Sequence, residues 1–241
     1  MHVIPKLVHV CWKHKDLLES DHPLIVDGIR QLEKLNPTWQ ITVNDDQDIE
    51  DYLRKSLGPS DYQLIASAHI VEKSDLWRLF KIHNEGGLYV DIDRFCNVVL
   101  DQVIPDDIRC VLPTCLDHDF SQDIMLSVPK NPIYYKAIML ALQRRRAGQS
   151  GIYWLGPQTY MHAVTQTLLG HMINSNPGSD LFDQMRAHLA QLDGYMTYRE
   201  HPPYSTFIYR DDQHDRVLDK WVNLKKDFYQ QQKIKHWSGE W

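Results

Sequence analysis

Residues 74–93 read SDLWRLFKIHNEGGLYVDID, and this stretch decides the fold. Leu76, Leu79, Phe80 and His83 fall at i, i+3, i+4 and i+7, which predicts a helix with one apolar stripe facing a core. That helix is expected to begin near Ser60 and to run to Asn84, where Gly86-Gly87 breaks it. Leu88 to Asp93 then reads as a strand. Side chains alternate faces along a strand, so Asp91 and Asp93 are expected on one side and Ile92 on the other. Two carboxylates so placed can approach one cation at the carboxyl end of a strand, where open α/β sheets hold their ligands. Such oxygen donors suit Mg2+ or Mn2+. An Asp-x-Asp triplet alone is weak evidence, since most are surface turns; the helix, glycine stop and apolar strand ahead of it add the weight. Asp75 and Arg78, three apart, share a helical face, either as a local ion pair or as two groups aimed at a ligand.

Outward from this stretch, strands and helices alternate. Val3 to Trp12 reads as a buried first strand, limited by Pro5. A helix follows His22-Pro23, carrying Ile25, Ile29, Leu32 and Leu35, and Asn36-Pro37 stops it. Trp39 to Val43 reads as a second strand, and Asp45 and Asp46 can cap a helix from Ile49 to Leu57. Beyond Asp93 come a strand near Val111 and helices over Ile133–Arg145, Gln158–Gly170 and Leu181–Leu192, before a mixed, aromatic tail. The pattern predicts a single α/β domain over residues 1–241, with a central, mostly parallel sheet and flanking helices.

The totals bound the function. A chain of 241 residues with net charge −6 offers no broad basic surface, which excludes long nucleic acids as partners. A diphosphate remains open to it if a metal supplies the positive charge. The four cysteines form no CxxC pair and no disulfide framework, so reduced thiols are expected. The start, MHVIPKLVHVCW, lacks a basic segment followed by a long apolar run; neither a signal peptide nor a membrane span is expected, and a cytoplasmic location in a bacterial or virus-infected cell fits.

SDLWRLFKIHNEGGLYVDID resembles the DXD-containing sugar-binding region of the glycosyltransferases related to yeast initiating α-1,6-mannosyltransferase, called family 32. It is also similar to the corresponding region of the large clostridial glucosylating toxins. Further pieces resemble the family in chain order: IPKLVHVCW at 4–12, NPTWQITVNDDQDI at 36–49, LGPQTYMHAV at 155–164 and the closing HWSGEW at 236–241. The likeness is patchy between Asp101 and Gly151.

The resemblance implies a GT-A fold, a nucleotide-binding α/β sandwich with the DXD triplet at its centre. It implies a metal-dependent, retaining glycosyltransferase that takes a UDP- or GDP-sugar and serves a glycan, lipid-linked or protein acceptor. By matching, Asp93 is a direct metal ligand, and Asp91 contacts the ribose or the metal. Asp75 and Arg78 hold the donor sugar and phosphate, Trp12 packs on the base and Tyr89 lines the ribose pocket. From the tail, His236 or Ser238 is expected to reach the metal and Trp241 to offer its indole N–H to a phosphate. A frayed terminus is the plain alternative for these three.

His9 is expected as a core histidine bonded to backbone. Asp123 faces the acceptor or caps a helix, Gly156-Pro157 shapes backbone near the sugar, and Arg144-Arg145-Arg146 answers a helix dipole. A non-catalytic nucleotide-sugar binder is the competing function. A nucleotidyl or phosphoryl transferase would need a basic or glycine-rich phosphate loop, which the chain lacks.

Overall fold

The computed structural model describes residues 3–16, 23–95, 98–115 and 119–170, then 187, 189, 191–192, 194–196, 198–201, 206–210, 215–220 and 222–223. The chain opens with β1 (Leu7–Cys11), α1 (Pro23–Leu35) and β2 (Gln40–Asn44). It continues through α2 (Asp46–Ser56), α3 (Pro59–Ile65) and α4 (Ile70–Glu85) into β3 (Gly87–Val90), β4 (Arg94–Phe95) and α5 (Leu100–Val103). After β5 (Cys110–Val111), β6 (Thr114–Cys115), β7 (Asp119–Phe120) and β8 (Ile124–Ser127) come α6 (Pro132–Arg146), α7 (Ile152–Leu155) and α8 (Pro157–Leu169). The last described elements are β9 (Tyr195–Met196), β10 (Tyr198–His201), β11 (Thr206–Arg210), β12 (Asp215–Lys220) and β13 (Val222–Asn223).

The main sheet has the order β2-β1-β3-β8-β5-β9. β1 pairs in parallel with both β2 and β3; β8 runs against β3 and β5, and β9 runs with β5. Five strands therefore share one direction and β8 alone opposes them, as the mostly parallel sheet required. Alternation divides two cores. Val8, Val10, Leu88, Val90, Ile124 and Leu126 pack on one face with Leu32 and Leu100. Tyr89 and Met125 face the other, against Trp77, Leu79, Ile138 and Val164 of the helical layer. Between β2 and β3 the chain crosses over β1, so the carboxyl ends of β1 and β3 flank a topological switch point.

Three local expectations need correction. The helix expected from Ser60 to Asn84 is two helices, because His69 is extended (φ −61°, ψ 147°) and its side chain accepts the Val71 N–H as the cap of α4. No glycine or proline announces this break; it is fixed by contacts such as Lys73 Nζ to the Ala66 carbonyl, 2.9 Å, and to Glu50, 2.9 Å. Nor does α4 show a single stripe: Ser74 through Phe80 are consecutively buried, because α2, α6, α7 and the sheet enclose the helix. Finally, β3 ends at Val90. Asp91-Ile92-Asp93 form a turn closed by the Arg94 N–H on the Asp91 carbonyl, 3.0 Å, so strand alternation does not place the two carboxylates.

A second sheet, β12-β11-β10-β6-β7, and the ribbon β13-β4 lie outside the sequence expectation, as does α7. Of the helix expected over Leu181–Leu192, most residues lie outside the described ones. Among the described residues no helix is long and apolar enough to cross a membrane.

Candidate functional site

A cleft of about 390 Å³ opens at the switch point, lined by residues just beyond the carboxyl ends of three neighbouring strands. Trp12 follows β1, Asp46 follows β2, and Asp91, Ile92 and Asp93 follow β3. Ser74 and Arg78 reach it from α4, and Tyr89 from β3. Of the residues singled out from sequence, Trp12, Arg78, Tyr89, Asp91 and Asp93 thus meet in one cleft. Asp75 stands behind it, 2% exposed. His236, Ser238 and Trp241 lie outside the described residues.

Arg78 organises the cleft. Its Nη2 lies 3.1 Å from Asp75 and its Nη1 lies 3.1 Å from Asp91 Oδ1, while Nη1 also donates to the Gln122 carbonyl at 3.2 Å. The guanidinium stacks on the Tyr89 ring, 4.5 Å from its centroid. Burial alone would lower the Arg78 pKa; Tyr89, Asp91 and Asp75 around it outweigh burial and hold it well above its usual value. Burial in turn pushes the Tyr89 hydroxyl well up, so it stays protonated and donates to Asp91 Oδ1 at 2.5 Å. Tyr89 therefore steadies Asp91 as well as lining the cleft.

Both of these bonds fall on Oδ1 of Asp91. Among the described residues no hydrogen bond or ion pair engages its Oδ2. The backbone is held equally firmly, with the Asp91 N–H on the Asp123 carbonyl at 2.8 Å. A carboxylate fixed through one oxygen, beside a second carboxylate at the same cleft, is a hard oxygen set. It fits Mg2+ or Mn2+, which keep several waters or phosphate oxygens of their own. Among the described residues no group of three His, Cys, Asp or Glu side chains converges on one point, so among them those two carboxylates would hold the ion.

Gln122 was missed, and Gly156, expected to shape backbone near the sugar, makes room for a buried carboxylate. Gln122 donates from Nε2 to Asp75 Oδ1 at 3.2 Å, and its carbonyl holds Arg78. Gly156 leaves the space that Asp75 occupies: a Cβ there would collide with the Asp75 carboxylate and approach Gln122. The antiparallel pairing of β8 with β3 brings Gln122 there, and no local pattern marks it. Asp123 neither caps a helix nor opens to the cleft; it ion-pairs with Arg94 and accepts from Ser121. His9 is the buried core histidine expected, with Nε2 at 2.9 Å from the Gly86 carbonyl. The arginine run ties helices together beyond any dipole effect: Arg144 donates to the Trp154 carbonyl and Thr159, Arg145 pairs with Glu72, and Arg146 with Asp61.

Residues 24–109 match the family model described as a glycosyltransferase sugar-binding region containing a DXD motif. Among curated proteins the chain is similar to inositol phosphoceramide mannosyltransferase 1 of Schizosaccharomyces pombe, 25% identical over 138 residues. That match covers 57% of this chain and 43% of the relative. It is also similar to mannosyl phosphorylinositol ceramide synthase CSH1 of Saccharomyces cerevisiae, 27% identical over 56% of this chain and 35% of the relative. The chain thus spans less than half the length of these relatives. Among solved structures, the PaToxG glycosyltransferase superposes with a TM-score of 0.51 at 19% identity, over 69% of this chain and 70% of the other, which is a likeness of fold. The family resemblance read from Ser74–Asp93 is borne out. Residues 24–109 are similar to the DXD-type glycosyltransferase sugar-binding region, and the fold resembles that of the PaToxG glycosyltransferase.

Proposed function

We propose that the chain is a single-domain glycosyltransferase that transfers a hexosyl group from a nucleoside-diphosphate sugar, UDP- or GDP-linked, to a glycan, lipid-linked or protein acceptor. The observation that carries this reading is the cleft at the β1–β3 switch point, where Asp91, Asp93 and Arg78 meet Trp12. A divalent cation held by Asp91 and Asp93 would supply positive charge to the departing diphosphate. Arg78, fully charged and locked between two carboxylates, places a further fixed cation beside the same charge at no cost of reorganisation. Tyr89 and the Asp123 carbonyl hold Asp91 in one position, so the donor meets a formed site. Trp12 offers an aromatic face to the base.

Among the described residues the cleft carboxylates are those of the Asp91–Asp93 turn, assigned to the cation, and Asp46, which β1 separates from that turn, so none is placed as a nucleophile. This supports attack on the same face as departure, with retention of configuration and with the leaving phosphate taking the acceptor's proton.

The test is release of nucleoside diphosphate from a panel of UDP- and GDP-sugars with Mn2+, to water or to added acceptors. Asp93→Asn is expected to lower release about 100-fold or more, with an unchanged thermal midpoint in the absence of metal. Wild-type turnover by that variant at limiting Mn2+ would overturn the metal assignment. Tight binding of nucleotide sugar with no release on any acceptor would make the chain a binder instead.

A further inference from the structure

Asp46, exposed at the first position of α2, lines the cleft together with Lys13, whose charge acts on it. Its neighbour Asp45 is committed to folding: Asp45 Oδ1 caps α2 by accepting the Asp48 N–H at 2.8 Å, and Asp48 returns the bond to the Asp45 N–H at 3.1 Å. Lys15 is taken by Asp48, at 2.7 Å. Among the described residues no hydrogen bond or ion pair engages the Asp46 carboxylate, although it lines the cleft together with Trp12, Ile49 and Val71.

The sheet order gives its place. Trp12 N–H donates to the Asn44 carbonyl at 2.9 Å, which seats Trp12 beside the turn that carries Asp46. β1 lies between β2 and β3, so Asp46 stands on one side of Trp12 and the Asp91–Asp93 turn on the other. Two strand spacings separate them, about 10 Å. A nucleotide whose diphosphate lies at Asp91 and Asp93 and whose base lies on Trp12 would turn its base edge toward Asp46.

We infer that Asp46 reads the base and selects guanine, so that the donor is a guanosine-diphosphate sugar. This rests on the function proposed above and deepens it. An ionised carboxylate is an acceptor only. Guanine presents two adjacent donors, N1–H and the N2 amino group, which a carboxylate accepts together. Uracil presents one N–H between two carbonyl oxygens, so the same carboxylate meets two repulsive acceptors for one bond. Adenine offers a donor beside a bare ring nitrogen and fares no better. Burial and the nearby Asp45 raise the Asp46 pKa above its usual value, while the charge of Lys13 opposes them.

The experiment is calorimetric titration of GDP and UDP, each with Mn2+, into wild-type protein and Asp46→Asn. Wild type is expected to bind GDP about 10- to 100-fold more tightly than UDP, the range of one bidentate base contact. Asp46→Asn should weaken GDP and strengthen UDP, because an amide offers a donor as well as an acceptor. Its retained capping box and an unchanged thermal midpoint report that the fold survives. Equal or tighter UDP binding by wild type, or an unchanged GDP-to-UDP ratio in Asp46→Asn, overturns the assignment. If UDP binds better and Asp93→Asn weakens that binding, the guanine reading falls alone and the transferase reading stands. If neither nucleotide binds, both fall.

Discussion

The two ends of β3, a strand of four residues, are held by opposite means. At the entering end, Gly86 has φ +70° and Gly87 φ +89°. A Cβ on Gly87 would lie 2.5 Å from the Leu7 carbonyl oxygen, and one on Gly86 would lie 2.7 Å from Pro129 Cδ. His9 closes this end by bonding the Gly86 carbonyl. What matters there is the lack of side chains, so that β1 and the segment after β8 can close in. At the leaving end, side chains add the decisive contacts: Arg78, Tyr89 and Asp91 form a cluster beside the cleft. The lesson is that steric exclusion fixes where the strand starts, and charge fixes where its last carboxylates stand.

Removing charge at the leaving end should have the largest effect. Arg78→Met would leave the buried Asp75, with a side chain 3% exposed, without its cation, and is expected to cost about 3–5 kcal/mol in urea unfolding. The further change Asp75→Leu should return part of that loss; a single variant as stable as wild type would show that the cluster is not what holds this end. At the entering end, Gly87→Ala is expected to cost about 2–3 kcal/mol, from positive φ and the collision with the Leu7 carbonyl, and it should do so equally at low and high salt. A marked salt dependence would erase the contrast between the ends.

The smallest effect is a pH dependence. Burial lowers the His9 pKa below its ordinary 6.5, outweighing the bond to Gly86. The folded protein then keeps His9 neutral while the unfolded chain takes up a proton below about pH 6.5. Its contribution is complete above that pH and is lost as pH falls toward the folded value, with a slope of at most about 1.4 kcal/mol per pH unit. His9→Gln should flatten urea midpoints measured between pH 7.5 and 5.5; an unaltered slope would remove His9 from the account.

Much of this was legible in the sequence, for definite reasons. Gly86-Gly87 marked the start of β3, and Asp45 marked the cap of α2, because positive φ and capping are carried by single residues. The break between α3 and α4 was hidden, since it rests on His69 and on Lys73 reaching Ala66 and Glu50. Trp12, Arg78, Tyr89, Asp91 and Asp93 were found because family-like motifs carry them. Gln122 was not, nor was the contact of Gly156 with Asp75, because both meet Asp75 only through the pairing of β8 and the packing of α8. Asp46 was read as a helix cap, since its place in the cleft depends on the order β2-β1-β3.

By itself the sequence determined the alternation of strands and helices, the glycine stop and the residue types proposed for metal and phosphate, because these depend on neighbours a few positions away. The tertiary structure alone decided which carboxylate meets Arg78, which lines the cleft across Trp12 from it and which is sealed behind it. Those outcomes depend on strand order and on burial from both faces, where a charge is held by whatever group from a distant segment can satisfy it.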